Sequence, residues 1–185
     1  MKKLLLVASV TAAISLVNTA SAATNGTVNF SGKLTDQTCQ VKLNDGTSAS
    51  GTVRLPTVSK SALASNGDVA GKTPFQLKII DCKASATAFG IIAYFPNNEN
   101  INARTLVNKE TGVTAATGVS LQLIYKMGTT DKVIPLGWSV GNYDAQIIPA
   151  NTTSATMNYA VRYINTGGTG SVKSGKVTGI AIYEL

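Results

Sequence analysis

The chain contains no histidine, and among its 185 residues there are only two cysteines, one tryptophan and five prolines. Without histidine, the Ser-His-Asp and Cys-His forms of nucleophilic catalysis are excluded. Cys39 and Cys82 are the only thiols, so no His/Cys set exists for a transition metal, and neither metal nor cofactor is expected. Nine acidic residues are scattered along the sequence, and nothing in their spacing marks a catalytic carboxylate pair. Ser59-Lys60 reads as an ordinary surface pair, because nothing beside it activates the hydroxyl. Gly167-Gly168-Thr169-Gly170 lacks the lysine and the strand-to-helix context of a phosphate-binding loop. No catalytic residue is therefore assigned and no enzymatic activity is expected.

Long apolar runs are equally scarce. The only one, Leu4 to Val17, follows Lys2 and Lys3 and precedes Ala20-Ser21-Ala22. A basic start, an apolar stretch and a small-x-small site form an export signal, with Ala23 as the first mature residue. A membrane anchor needs roughly 20 apolar residues, and this run stops at Asn18. No span is expected in the mature chain. Removing residues 1–22 from 185 leaves 163, enough for one domain with a sizeable core. The net charge of +7 falls to +5 with Lys2 and Lys3 gone. The remaining basic residues form no cluster, which argues against a nucleic-acid partner and for a solvated surface.

An isolated cysteine pair in an exported domain reads as one disulfide, Cys39–Cys82. In the chain-entropy model, closing a loop of about 43 residues is worth roughly 4 kcal/mol. Trp138, the single tryptophan, reads as a packing residue before a sugar-stacking one. Asn25-Gly26-Thr27 and Asn151-Thr152-Thr153 match the glycosylation pattern, but such matches are frequent in a threonine-rich chain.

What the sequence does have is alternation. Gly26, Val28, Phe30, Gly32 and Leu34 share one face, while Thr27, Asn29, Ser31 and Lys33 share the other. Period two marks a strand with one buried face. The same pattern runs through Thr73–Ile79, Val119–Tyr125 and Ala155–Tyr163. It also predicts a last strand from Val172 or Val177 to Leu185, with Val177, Gly179, Ala181, Tyr183 and Leu185 on one face and Ile180 and Ile182 on the other. Ala88 to Phe95 is nearly all apolar and reads as a strand buried on both faces. Thr52 to Leu55 is a short extended piece closed by Pro56. Residues 57–73 read as a surface connection with a helical turn around Ser59 to Ala64, and residues 101–117 as irregular. Lys132–Leu136 and Asp144–Ile148 are weaker strand candidates. Eight or nine strands separated by Gly-, Asn- and Pro-rich turns, without an amphipathic helix, predict an all-β sandwich.

Several of these stretches together resemble the structural subunits of chaperone–usher fimbriae, the type 1-like pilins. They are Gly26-Thr27-Val28-Asn29-Phe30-Ser31-Gly32 leading to Cys39, and Thr73-Pro74-Phe75-Gln76-Leu77 leading to Cys82. Gly118-Val119-Ser120-Leu121-Gln122-Leu123, Tyr159-Ala160-Val161-Arg162-Tyr163 and the alternating C-terminus complete the series. The resemblance implies an incomplete immunoglobulin-like β-sandwich, completed by a donor strand from a neighbouring subunit. It implies a donor-strand extension at 23–31, with Thr24, Gly26, Val28 and Phe30 facing a neighbour's groove, and a pilin domain at 32–185. It further implies a periplasmic chaperone meeting Ala181, Tyr183 and Leu185, an outer-membrane usher, and pilin subunits as partners in a cell-surface fimbria that supports adhesion. The family usually carries tyrosine next to last; here Tyr183 is third from the end. The alternation alone favours residues 26–34 as the first strand of their own sheet, and the resemblance reverses that preference. A single-domain exported ligand-binding sandwich, or a minor tip or adaptor subunit, is the alternative function.

Overall fold

The structure, a computed structural model, describes residues 38–127, 130–138 and 145–185. Antiparallel strands form nearly all of its regular secondary structure. In chain order they are β1 (Gln40–Leu43), β2 (Val69–Ile80), β3 (Phe89–Ile91), β4 (Ile101–Asn102), β5 (Thr105–Val107), β6 (Val119–Met127), β7 (Thr130–Val133), β8 (Gln146–Ile148) and β9 (Ala155–Asn165). One 3-10 helix, Lys60–Leu63, is capped by the Ser59 hydroxyl, which accepts from the Ser61 amide. It falls within the helical turn expected from the sequence.

One large sheet runs β1-β2-β9-β6-β5-β4, and β7 shares with β5 the edge of β6 that β9 leaves open. The long strands form because their alternation places apolar residues on one face. Leu77 and Ile79 on β2 and Met157, Tyr159 and Val161 on β9 are buried, as are Leu121, Leu123 and Tyr125 on β6. Gln76, Lys78, Asn158 and Arg162 lie on the opposite face by register. Burying a side chain such as Leu77 or Ile79 stabilises the fold by roughly 1.5–3 kcal/mol each. Ile124 and Ala160, paired across β6 and β9, are also buried, so both faces of the sheet are covered at its centre. Across the core, Ala93, Phe95, Ile134, Leu136 and Ile148 close the cluster, with β3 paired to β8. The result is the all-β sandwich that the alternation predicts.

The disulfide forms between Cys39 and Cys82. Cys39 lies one residue and Cys82 two residues beyond the last β1–β2 pair, Gln40↔Ile80, so the bridge is a cross-strand staple fixing the edge strand β1 to β2.

Four readings are corrected. First, no strand ladder is formed by residues 177–185; Glu184 makes an isolated bridge to Tyr94, and the other backbone–backbone bond of this segment runs from the Lys109 amide, in the 108–116 loop, to the Thr178 carbonyl. A loop offers anchor points but no continuous row of donors and acceptors. Second, Ala88–Phe95 forms a strand only at Phe89–Ile91, with Tyr94 bridged singly to Glu184, and its burial afterwards alternates, with Ala93 and Phe95 inward. Third, residues 101–117 contain the β4–β5 hairpin, turned by Ala103 and Arg104 at φ 45° and 67°. Fourth, β2 begins at Val69, inside the expected connection, because its register shifts between Ala70 and Thr73. Gly71, at φ +65°, supplies that irregularity.

Candidate functional site

The segment 176–185 is anchored chiefly by one side chain. Asn108 Nδ2 donates to the carbonyls of Ala116 (2.9 Å) and Lys176 (3.0 Å). Its Oδ1 accepts from the amides of Glu110 (3.1 Å) and Thr178 (3.0 Å). The Lys109 amide donates to the Thr178 carbonyl at 2.8 Å, and the Thr178 hydroxyl bonds Glu110 Oε1 at 2.5 Å. At the far end, Glu184 and Tyr94 exchange two backbone bonds. Between these anchors, no backbone–backbone bond joins residues 179–183 to any other described residue.

Within that stretch the inward positions are Val177, Gly179 and Tyr183, and the outward ones are Ile180 and Ile182. Val177 and Tyr183 pack on the core, and Tyr183 meets Phe95 at a ring separation of 6.2 Å. Gly179 passes so close to the core that a Cβ there would lie 2.7 Å from Leu121 Cδ1. Only a bare backbone fits at that distance.

A second segment, residues 49–57, approaches the first: the Tyr183 hydroxyl donates to the Ala49 carbonyl at 2.8 Å. Val53 and Leu55 are half-buried against the same core cluster, whereas Thr52, Arg54 and Pro56 are exposed. No backbone–backbone bond joins 49–58 to any other described residue. The site thus consists of two stretches of backbone without ladder partners among the described residues, set over an apolar floor that includes Phe95, Leu106 and Leu121. Its chemistry suits an extended peptide, which offers amides and carbonyls to the walls and alternate apolar side chains to the floor.

Of the residues singled out from sequence, Thr24, Gly26, Val28 and Phe30 lie outside the described residues. Tyr183 is at the site and inward, as its position in the alternation requires. Ala181 and Leu185, expected on the same face, are exposed. Cys39 and Cys82 form their bridge at the β1–β2 end of the large sheet. Sequence reasoning missed Asn108, Tyr163, Val53 and Leu55 as site residues. The alternation of Thr52–Leu55 was the one signal available, and Asn108 stands in a polar run with none.

The other candidates have structural roles. One face of the Trp138 ring is covered by the Arg104 guanidinium, 3.7 Å from the ring centre. Ser59 caps its helix. The glycine loop wraps Asn165, whose Oδ1 accepts from the amides of Gly167 and Gly168. Among the described residues, no group of three metal-ligating side chains occurs. Hydrogen bonding and charge from Lys78 lower the Asp45 pKa, and a hydrogen bond from Lys72 lowers that of Asp131. Burial raises the pKa of Tyr163 and Tyr183.

Comparison with known proteins adds four findings. The F17 fimbrial protein of Escherichia coli is 33% identical, over all of this chain and 98% of its own length. The major fimbrial subunit SMF-1 of Stenotrophomonas maltophilia is 34% identical over 90% of this chain and 94% of its own. A solved chain from "Structure of a Chaperone-Usher pilus" superposes with a TM-score of 0.49 at 16% identity, covering 88% of this chain and 95% of that one. Residues 28–185 match a family model described as fimbrial protein, and the chain belongs to that family.

Proposed function

We propose that this fimbrial subunit, a structural protein and not an enzyme, is a repeating unit joined head to tail by donor-strand exchange. Residues 23–31 form the donor extension, and the domain that receives a strand occupies 32–185. Thr24, Gly26, Val28 and Phe30 would enter the groove between 49–57 and 177–183 of the next copy, alternate side chains reaching the floor. Gly26 would allow the closest backbone approach. Before assembly, a periplasmic chaperone would fill the same groove and meet the Ala181–Leu185 segment, and an outer-membrane usher would direct the exchange. Family membership implies a cell-surface pilus, and no helix of the described residues is long and apolar enough to cross a membrane.

The observation that carries this reading is the groove: two walls without ladder partners among the described residues, over an apolar floor. Water-exposed apolar surface costs about 25 cal/mol per Å². An inserted strand removes that cost and satisfies the wall amides at the same time. Deleting residues 23–30 tests the proposal. The deletion should leave a folded subunit that enters no SDS-resistant polymer; normal polymers from it would overturn the reading.

A further inference from the structure

The wall 49–57 hangs from the body of the domain by two tyrosine hydroxyls. Tyr183, on the opposite wall, donates to the Ala49 carbonyl at 2.8 Å. Tyr163, on β9, donates to the Pro56 carbonyl at 3.2 Å. The two bonds hold the two ends of the wall. Between them Val53 and Leu55 hold it inward, by packing on the core. Pro56 has no N–H to offer a ladder.

The Tyr163 ring is placed by the irregularity in β2. A Cβ at Gly71 would lie 2.8 Å from Cδ2 of that ring and 3.0 Å from Val58 Cγ1, so the glycine makes the seat in which the ring rests. The register shift between Ala70 and Thr73 opens the same space. Tyr183 is steadied by Phe95. Both hydroxyls are thus aimed by packed rings at carbonyls on a segment with few other ties.

We propose that Tyr163 and Tyr183 are positioning residues for strand exchange: their hydroxyls fasten the 49–57 wall, and releasing them lets the wall move aside to admit the extension of a second copy. This inference rests on the groove reading above. Phenylalanine keeps each ring and removes only the hydroxyl, so Y163F, Y183F and the double variant isolate the two bonds.

The test uses the full mature chain and two readouts. Arg54, exposed, is the one trypsin site on the wall, so tryptic cleavage after Arg54 is followed, with cleavage after Lys78 on β2 as an internal reference. Uptake of a fluorescent peptide with the sequence of residues 24–34 is timed alongside. In the double variant, cleavage after Arg54 should accelerate about tenfold, cleavage after Lys78 should stay unchanged, and peptide uptake should accelerate. Where wild type takes up the peptide, unchanged cleavage after Arg54 in the double variant, or unchanged or slower uptake by it, would overturn the tyrosine assignment and leave the groove standing. An equal rise in cleavage after Lys78 would reduce the hydroxyls to general stability and overturn it also. No uptake by wild type would overturn the groove reading itself.

Discussion

Replacing Asn108 by alanine removes the anchor of the C-terminal wall. Four hydrogen bonds are lost at once, two donated to Ala116 and Lys176 carbonyls and two accepted from the Glu110 and Thr178 amides. A net value of about 0.5–1.5 kcal/mol per bond applies. Bonds sharing one side chain are not additive, so about 2–3 kcal/mol is the expected loss. With a urea m-value of about 1–3 kcal/mol/M, the unfolding midpoint of the mature protein should fall by roughly 1–2 M. N108D should be at least as damaging. Its carboxylate keeps the two acceptor bonds but turns lone pairs toward two carbonyl oxygens. A midpoint within about 0.3 M of wild type for N108A would refute the idea that this side chain holds the wall.

Three further outcomes follow from the geometry. The double substitution C39S/C82S should lower stability by roughly 4 kcal/mol, and local exchange should rise first in β1, the edge strand the bridge fixes; urea unfolding and hydrogen exchange check both. Gly71→Ala should destabilise through its φ of +65° and the displaced Tyr163 ring, which a thermal melt reads as a fall of several degrees. Burial raises the pKa of Tyr163 and Tyr183 above the usual 10.0 in the folded state. Their contribution is therefore complete below about pH 10 and is lost as pH rises through the folded values. The urea midpoint should stay level from neutral pH to about pH 9.5 and fall above pH 10, less steeply in the Y163F/Y183F variant.

Much of this fold is legible in the residues themselves. β2, β6 and β9 are long, and their buried and exposed sets separate at period two, so Leu77, Leu121, Met157 and Tyr159 could be placed in the core from pattern alone. Two cysteines in an exported chain named their own bridge. The β4–β5 hairpin was hidden because both turn residues have positive φ, a conformation that usually announces itself as Asn-Gly or Asp-Gly. Here the turn is Ala103-Arg104, and its arginine covers Trp138. Gly71 concealed the start of β2 by interrupting the alternation at the place where the sheet needs an irregularity. The C-terminal alternation correctly placed Val177 and Tyr183 inward but implied a ladder, which depends on a neighbour and not on the segment's own residues. Asn108 shows the same limit more sharply: its four partners lie on residues 110, 116, 176 and 178, and only the folded chain brings the last two to it.

The central claim is that the N-terminal extension of one copy occupies the groove of another. A photo-crosslinking phenylalanine analogue at position 28, in fimbriae assembled from a mixture of isotopically light and heavy subunits, measures this directly by mass spectrometry. The account predicts light–heavy crosslinks from position 28 to residues 53–55 or 177–183 of a second chain. Crosslinks confined to position 28's own chain would contradict it.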